Sequence, residues 1–238
     1  TYTASYEVST DGAYSVRLRN AADAGGNDGA DAQNETVVVG EPLVFAVNAG
    51  GSSYTAGDGV TYVADDGGSP YTTGGSTYSS TSAIANTSDD ALYQSERYAS
   101  GEEFSYDAAL DNGTYEVTLK FAEIYFGSGN GGGGGDGSRV FDVGAESEVV
   151  VNDLDIHSRV GPDTALVLTR TVAVDDGSLN LTFSDEVENA KASAVVVRRV
   201  PETRISIAPS DPTTADDITF QPETANGTDL QSYQWAFG

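Results

Sequence analysis

The chain has no cysteine and no methionine, a single histidine, a single tryptophan and only two lysines among its 238 residues. Without cysteine there can be no disulfide, no thiol nucleophile and no thiolate-held zinc, so stability has to come from core burial. Positive charge is scarce as well. Eleven Lys and Arg face 37 Asp and Glu, a formal net charge of -26. Nucleic acid and anionic membrane surfaces both attract basic proteins and would repel this one. The sequence contains no apolar run long enough to span a bilayer and no signal peptide, but it does not begin with Met, and those absences are read as describing a fragment.

What is present is enough to fold. Hydrophobic residues make up 38% of the chain and aromatics 9%, which is too apolar for wholesale disorder despite the charge. Acidity with almost no lysine is the balance expected in concentrated salt, where a short Debye length screens self-repulsion and carboxylates stay hydrated. It points to a halophilic prokaryote, with an archaeal source the leading expectation. Five Asn-X-Ser/Thr acceptors, at Asn34, Asn86, Asn112, Asn180 and Asn226, exceed the roughly two that chance would place. They point to an extracellular, glycosylated protein.

Periodicity gives the class. Tyr14, Val16 and Leu18 alternate with polar residues, as do Tyr115, Val117, Leu119 and Phe121, and again Leu179, Leu181 and Phe183. Asp11-Gly12, Asn112-Gly113 and Asp176-Gly177 stand just before such runs, where hairpin turns belong. The chain reads as all-β, and Ala194 to Val197 as a strand buried on both faces. Two stretches read as loops, residues 21–34 and the glycine-rich Ser128 to Ser138. The second resembles a calcium-binding Gly/Asp repeat, but its one carboxylate, Asp136, falls far short of the six to eight oxygens calcium takes. A flexible loop is the expectation there. Prolines at 42 and 201 mark boundaries, leaving a body of about 43–200 between pieces of 1–40 and 203–238.

Catalytic patterns are missing. His157 is the only histidine and no nucleophile-elbow pattern accompanies it, so a structural or surface role is expected. No Walker-type loop or His-rich cluster appears, so neither cofactor nor metal is implied and the chain reads as non-enzymatic. Alternation from Tyr115 carries the inward face to Glu123: either the strand ends there or Glu123 is buried. A buried carboxylate needs a partner, and Arg97, the only cation in Leu92 to Tyr98, is the candidate. Tyr78, Tyr98, Tyr125 and Phe126 stand beside Gly-rich loops. They are either ordinary aromatics of a Tyr-rich β-protein or flat rings against which sugar C–H faces stack.

Six blocks, in order, carry a resemblance. They are Val47-Asn48-Ala49-Gly50-Gly51, Leu92 to Tyr98, Leu119 to Phe126, Val140-Phe141-Asp142-Val143, Val149 to Ile156 and Arg159-Val160-Gly161. Together they resemble the malectin-type domain, a jelly-roll-like β-sandwich that binds carbohydrate. The resemblance implies a glucose-type oligosaccharide held by Tyr98, Tyr125 and Phe126, with Tyr78 matching more loosely and Glu188 standing where the family lectins carry an acid. Residues 1–40 and 203–238 resemble the second and first halves of an immunoglobulin-like PKD domain. That order implies identical or similar subunits completing one another head to tail in an extracellular cell-surface or filamentous assembly, with sugar binding compatible. The alternative is a carbohydrate-binding module appended to a secreted glycoside hydrolase.

Overall fold

The computed structural model describes residues 43–101, 103–129 and 131–200, together with the backbone of six strands in the flanking segments. In chain order the first strands are β1 (Tyr2–Glu7), β2 (Gly12–Arg17), β3 (Asn34–Val39), β4 (Leu43–Asn48), β5 (Tyr54–Thr55), β6 (Thr61–Ala64), β7 (Thr72–Thr73) and β8 (Ser76–Ser79). They are followed by β9 (Ser95–Tyr98), β10 (Glu103–Ala109), β11 (Gly113–Phe121), β12 (Val140–Ala145), β13 (Glu148–Leu154) and the short helix α1 (Ile156–Val160). The rest are β14 (Leu166–Val174), β15 (Ser178–Val187), β16 (Lys191–Ala192), β17 (Ala194–Arg199), β18 (Thr203–Ala208), β19 (Thr219–Thr224) and β20 (Ser232–Phe237). The fold is all-β, as the alternation predicts.

The chain divides into two units, residues 43–199 and the flanks 1–42 with 200–238. In the flanks β2 pairs with β3, β18 with β19, and β1 with β20, all antiparallel. The last pair joins the two ends within one chain, which counts against their needing a neighbouring copy for completion. The side chains of Tyr14, Val16 and Leu18 lie outside the described residues.

The unit 43–199 is a sandwich of a five-stranded sheet, β13-β12-β15-β10-β7, and a six-stranded sheet, β14-β11-β17-β4-β6-β5. Alternation explains its interior. Tyr115, Val117, Leu119 and Phe121 of β11 are all buried, and Val117 and Leu119 lie opposite Val197 and Val195 of β17. From the other sheet Phe104, Tyr106, Leu179, Leu181, Phe183, Phe141 and Val143 fill the same cluster, with Phe104 and Phe183 stacked at 4.6 Å. Burial of this apolar area drives the two sheets together.

The strand 194–197 is buried on both faces, as its unbroken apolar run predicts. Its outer side is covered by the excursion between β4 and β9, which brings Tyr62, Ile84, Leu92 and Tyr93 over Ala46, Ala194 and Val196 in a second cluster. The entry and exit of the unit are neighbours, since Leu43 of β4 lies opposite Arg198 of β17. A separate three-stranded sheet, β16-β9-β8, stands at one end and carries the site. It is tied to β4 at Gly50, whose φ of +67° and close approach to the Glu96 carbonyl leave no room for a Cβ.

Candidate functional site

Register fixes which side chains share a face of the end sheet. Tyr98 lies opposite both Lys191 and Ser76, and Tyr78 lies opposite Glu96. Directly paired residues and residues two apart project to the same side, so Tyr78, Glu96, Tyr98 and Lys191 occupy one face and Arg97 the other.

The aromatic residues assemble around Tyr125. Its ring meets Tyr78 edge-on at 5.6 Å and Phe126 edge-on at 5.0 Å. Tyr125 is 41% exposed, while Tyr78, Tyr98 and Phe126 are half-buried. Thus Tyr78, Tyr125 and Phe126 form one cluster, and Tyr98 shares the sheet face of Tyr78. The remaining candidate, Glu188, is exposed with φ at +58°. It is joined to the cluster only through the backbone, as follows.

Beneath the rings lies a row of buried charges. Glu123, 1% exposed, is indeed buried where the alternation carries it, although β11 ends two residues earlier. Its Oε1 accepts the backbone N–H of Tyr125 and of Phe126, both at 3.0 Å. Its Oε2 accepts Arg139 Nε at 2.8 Å. Arg139 donates through Nη1 to the carbonyl of Asn189, the neighbour of Glu188, and its guanidinium stands 5.2 Å from the Phe126 ring centre. Lys191, fully buried, bridges Glu96 and Glu123 and donates to the Ala122 carbonyl at 2.5 Å. One network therefore fixes Tyr125 and Phe126 by their amides and the Glu188–Asn189 turn by a carbonyl.

The expected partnership of Arg97 with Glu123 is not formed. Arg97 and Glu96 are adjacent on β9 and so point to opposite faces; Glu96 looks toward Glu123, and Arg97 looks away. Arg97 instead pairs with Asp65, Nε to Oδ2 at 2.7 Å, while also donating to the carbonyls of Asp65 and Gly74. Asp65, wholly buried, further accepts Tyr106 Oη at 2.9 Å, the Gly50 amide at 3.1 Å and the Ser69 amide at 2.7 Å. Glu96, Arg139, Lys191 and Asp65 were not singled out from the sequence. A signal existed for Glu96, which alternates in step with Tyr98.

The charges settle differently. Burial pushes Glu123 up, but Lys191, Arg139 and the two amides outweigh it and hold the carboxyl below its ordinary range. Burial likewise opposes Asp65, yet Arg97, Thr72 and the Gly50 amide bring it below the usual value. Glu96 goes the other way: its burial prevails over Lys191 and Arg139, with Glu123 adding repulsion, and it is raised.

The glycine loop lies beside the cluster and is tied down. The Gly127 amide donates to Gly132, Asp136 meets His157 Nδ1 at 2.7 Å, and the Gly137 amide donates to Asp155 at 2.6 Å. Among the acceptor asparagines, Asn86 and Asn112 are exposed and Asn180 is half-buried on β15; the side chains of Asn34 and Asn226 lie outside the described residues. Among the described residues no group of His, Asp or Glu is arranged to hold a metal ion, and no helix is long and apolar enough to cross a membrane.

The unit is thus a two-sheet sandwich with clustered aromatic rings whose backbone is held by buried charge. The chain belongs to the malectin domain family: the sequence model described as Malectin domain matches residues 43–201. Malectin-A of Xenopus laevis is 32% identical over 162 residues, covering 66% of this chain and 55% of that protein. Malectin of Homo sapiens is 38% identical over 129 residues, covering 52% and 41%. The chain thus spans about half the length of these relatives. Among solved structures, the Bacteroides uniformis β-glucuronidase shares the fold at 22% identity with a TM-score of 0.56, over 66% of this chain and 18% of the enzyme. The ANX1 ectodomain from Arabidopsis thaliana shares it at 16% identity with a TM-score of 0.55, over 66% and 48%.

Proposed function

We propose that the unit 43–199 is a carbohydrate-binding module that takes a glucose-type oligosaccharide on Tyr78, Tyr98, Tyr125 and Phe126, with Glu188 accepting from sugar hydroxyls at the rim. The observation that carries this reading is the mutual arrangement of Tyr78, Tyr125 and Phe126 at one sandwich end, two of them pinned by their amides to a buried carboxylate. Rings held in place lose little freedom when a sugar face stacks on them. On this reading the module holds sugar and does not act on it.

The setting is an extracellular surface or filamentous assembly of a halophilic prokaryote, in which PKD-like flanks act as spacers. The acidic excess and the exposed acceptors at Asn86 and Asn112 support it. The pairing of β1 with β20 favours flanks that complete each other within one chain; exchange of the same strands between copies, head to tail, would appear as concentration-dependent assembly. A second reading is a module carried by a secreted glycoside hydrolase. It is favoured by the β-glucuronidase likeness, which is confined to 18% of that enzyme.

Titration of the full chain with maltose and longer gluco-oligosaccharides in high salt tests the reading. Binding should be measurable by calorimetry, and Tyr125→Ala should weaken it about tenfold, the worth of one good aromatic contact. Neither heat nor chemical-shift change with any of the sugars would overturn it.

A further inference from the structure

The glycine segment has a role beyond connection. Its residues approach the two best-placed aromatics so closely that side chains are excluded. A Cβ on Gly131 would lie 2.0 Å from the Tyr125 carbonyl oxygen, one on Gly132 would lie 2.8 Å from the Tyr125 ring, and one on Gly134 would lie 2.7 Å from the Phe126 ring. By contrast, a Cβ on Gly133 would meet nothing within 4 Å. Gly131 thus lies against the Tyr125 backbone and Gly132 and Gly134 against the two rings, while Gly133 faces open space.

Both ends of the segment are anchored. At its start the Gly131 amide donates to the Ser128 carbonyl, and Ser128 Oγ donates to Asp163 at 2.9 Å. At its end the Gly135 amide donates to Ser138 Oγ at 2.9 Å, Asp136 meets His157, and Gly137 meets Asp155, the residue that caps α1. Glycine surrenders more backbone freedom than any other residue when ordered. A run of five that is nonetheless latched against two rings is being used for closeness of approach.

We propose that residues 131–134 form a wall of the site that sets its specificity for ligand length. The wall closes the flank of Tyr125 and Phe126 on which a sugar chain would otherwise continue, so the aromatic surface accepts a short ligand or a chain end. This rests on the carbohydrate reading above. Displacing the wall exposes further ring surface and lets additional sugar units stack.

The test compares maltose with maltohexaose on the full chain and on two variants. Gly131→Ala collides with the Tyr125 backbone and must lift the segment, whereas Gly133→Ala has room and serves as the matched control. In the parent and in Gly133→Ala the two sugars should bind with similar affinity per chain end. In Gly131→Ala the preference for maltohexaose over maltose should rise about three- to tenfold, as one further aromatic contact implies. If the parent binds maltose and Gly131→Ala shows the parent's ratio, the wall is overturned while the carbohydrate reading stands. If the parent binds neither sugar, both fall. Should Gly131→Ala fail to fold by circular dichroism, Gly132→Ala, whose Cβ would lie 2.8 Å from the Tyr125 ring rather than against its backbone, replaces it, and an unchanged ratio there also overturns the proposal.

Discussion

The sandwich interior and the end beneath the aromatic cluster are both sealed from water, and they are sealed by opposite means. Between the sheets, Leu119, Phe121, Phe104 and Phe183 need only be apolar and of suitable size, because dispersion and hydrophobic burial have no direction. Beneath Tyr125 and Phe126, Glu96, Glu123, Arg139 and Lys191 each need a named partner at hydrogen-bond distance. A buried charge without its partner keeps its full desolvation penalty. The first region makes the sandwich, and the second fixes how its end is shaped.

Lys191→Met breaks that comparison most strongly. It conserves length and apolar stem but leaves Glu96 and Glu123 without their shared cation, so the fold should lose about 3–5 kcal/mol in denaturant melts. A loss under 1 kcal/mol would show that the ionic end tolerates substitution as the apolar interior does.

Acid sharpens it next. Asp65 and Glu123 are lowered in the folded state, so their contribution is complete above the ordinary carboxylate range and disappears as pH falls through their folded values. Glu96 is raised, so its contribution has the reverse sign: stability falls as pH climbs from the ordinary range to its folded value. In high salt, where the acidic surface is screened, stability should decline below about pH 4. Glu123→Gln should flatten that decline, and Glu96→Gln should remove the loss of stability that accompanies rising pH above the ordinary carboxylate range; identical pH profiles for the two variants would contradict the assigned directions.

Leu119→Met is the smallest change expected. A volume-conserving swap in the apolar interior should cost under about 1.5 kcal/mol and leave sugar binding untouched. A larger loss would mean that this interior is as exacting as the ionic end.

The same contrast explains what the sequence could disclose. Tyr115 to Phe121 and Leu179 to Phe183 announced their strands because alternation is a local property, visible within a few residues. The aromatic candidates Tyr78, Tyr125 and Phe126 stand out as rings beside Gly-rich loops, with family blocks covering only Tyr125 and Phe126, and the structure brings them into contact. Phase after Phe121 leaves Glu123 either past the strand's end or buried, and it is both, but its partner is not legible. Arg139 lies 16 residues on, past the glycine loop, and Asp65, the true partner of Arg97, lies 32 residues back in a Gly/Asp-rich stretch that resembles an ordinary turn. Pairing across such distances depends on which face each strand presents, and two-residue strands such as β16 carry too little pattern to show it.

The adjacency of Leu43 and Arg198 on paired strands has a mechanical consequence. Chain enters and leaves the unit about 5 Å apart, so tension applied through the flanks would act across the β4–β17 ladder and part its hydrogen bonds in succession. Strands loaded lengthwise would have to break many at once. A module spliced into a cable in this way yields early, like a zipper opened from its end, unless something on the flanks takes the strain first.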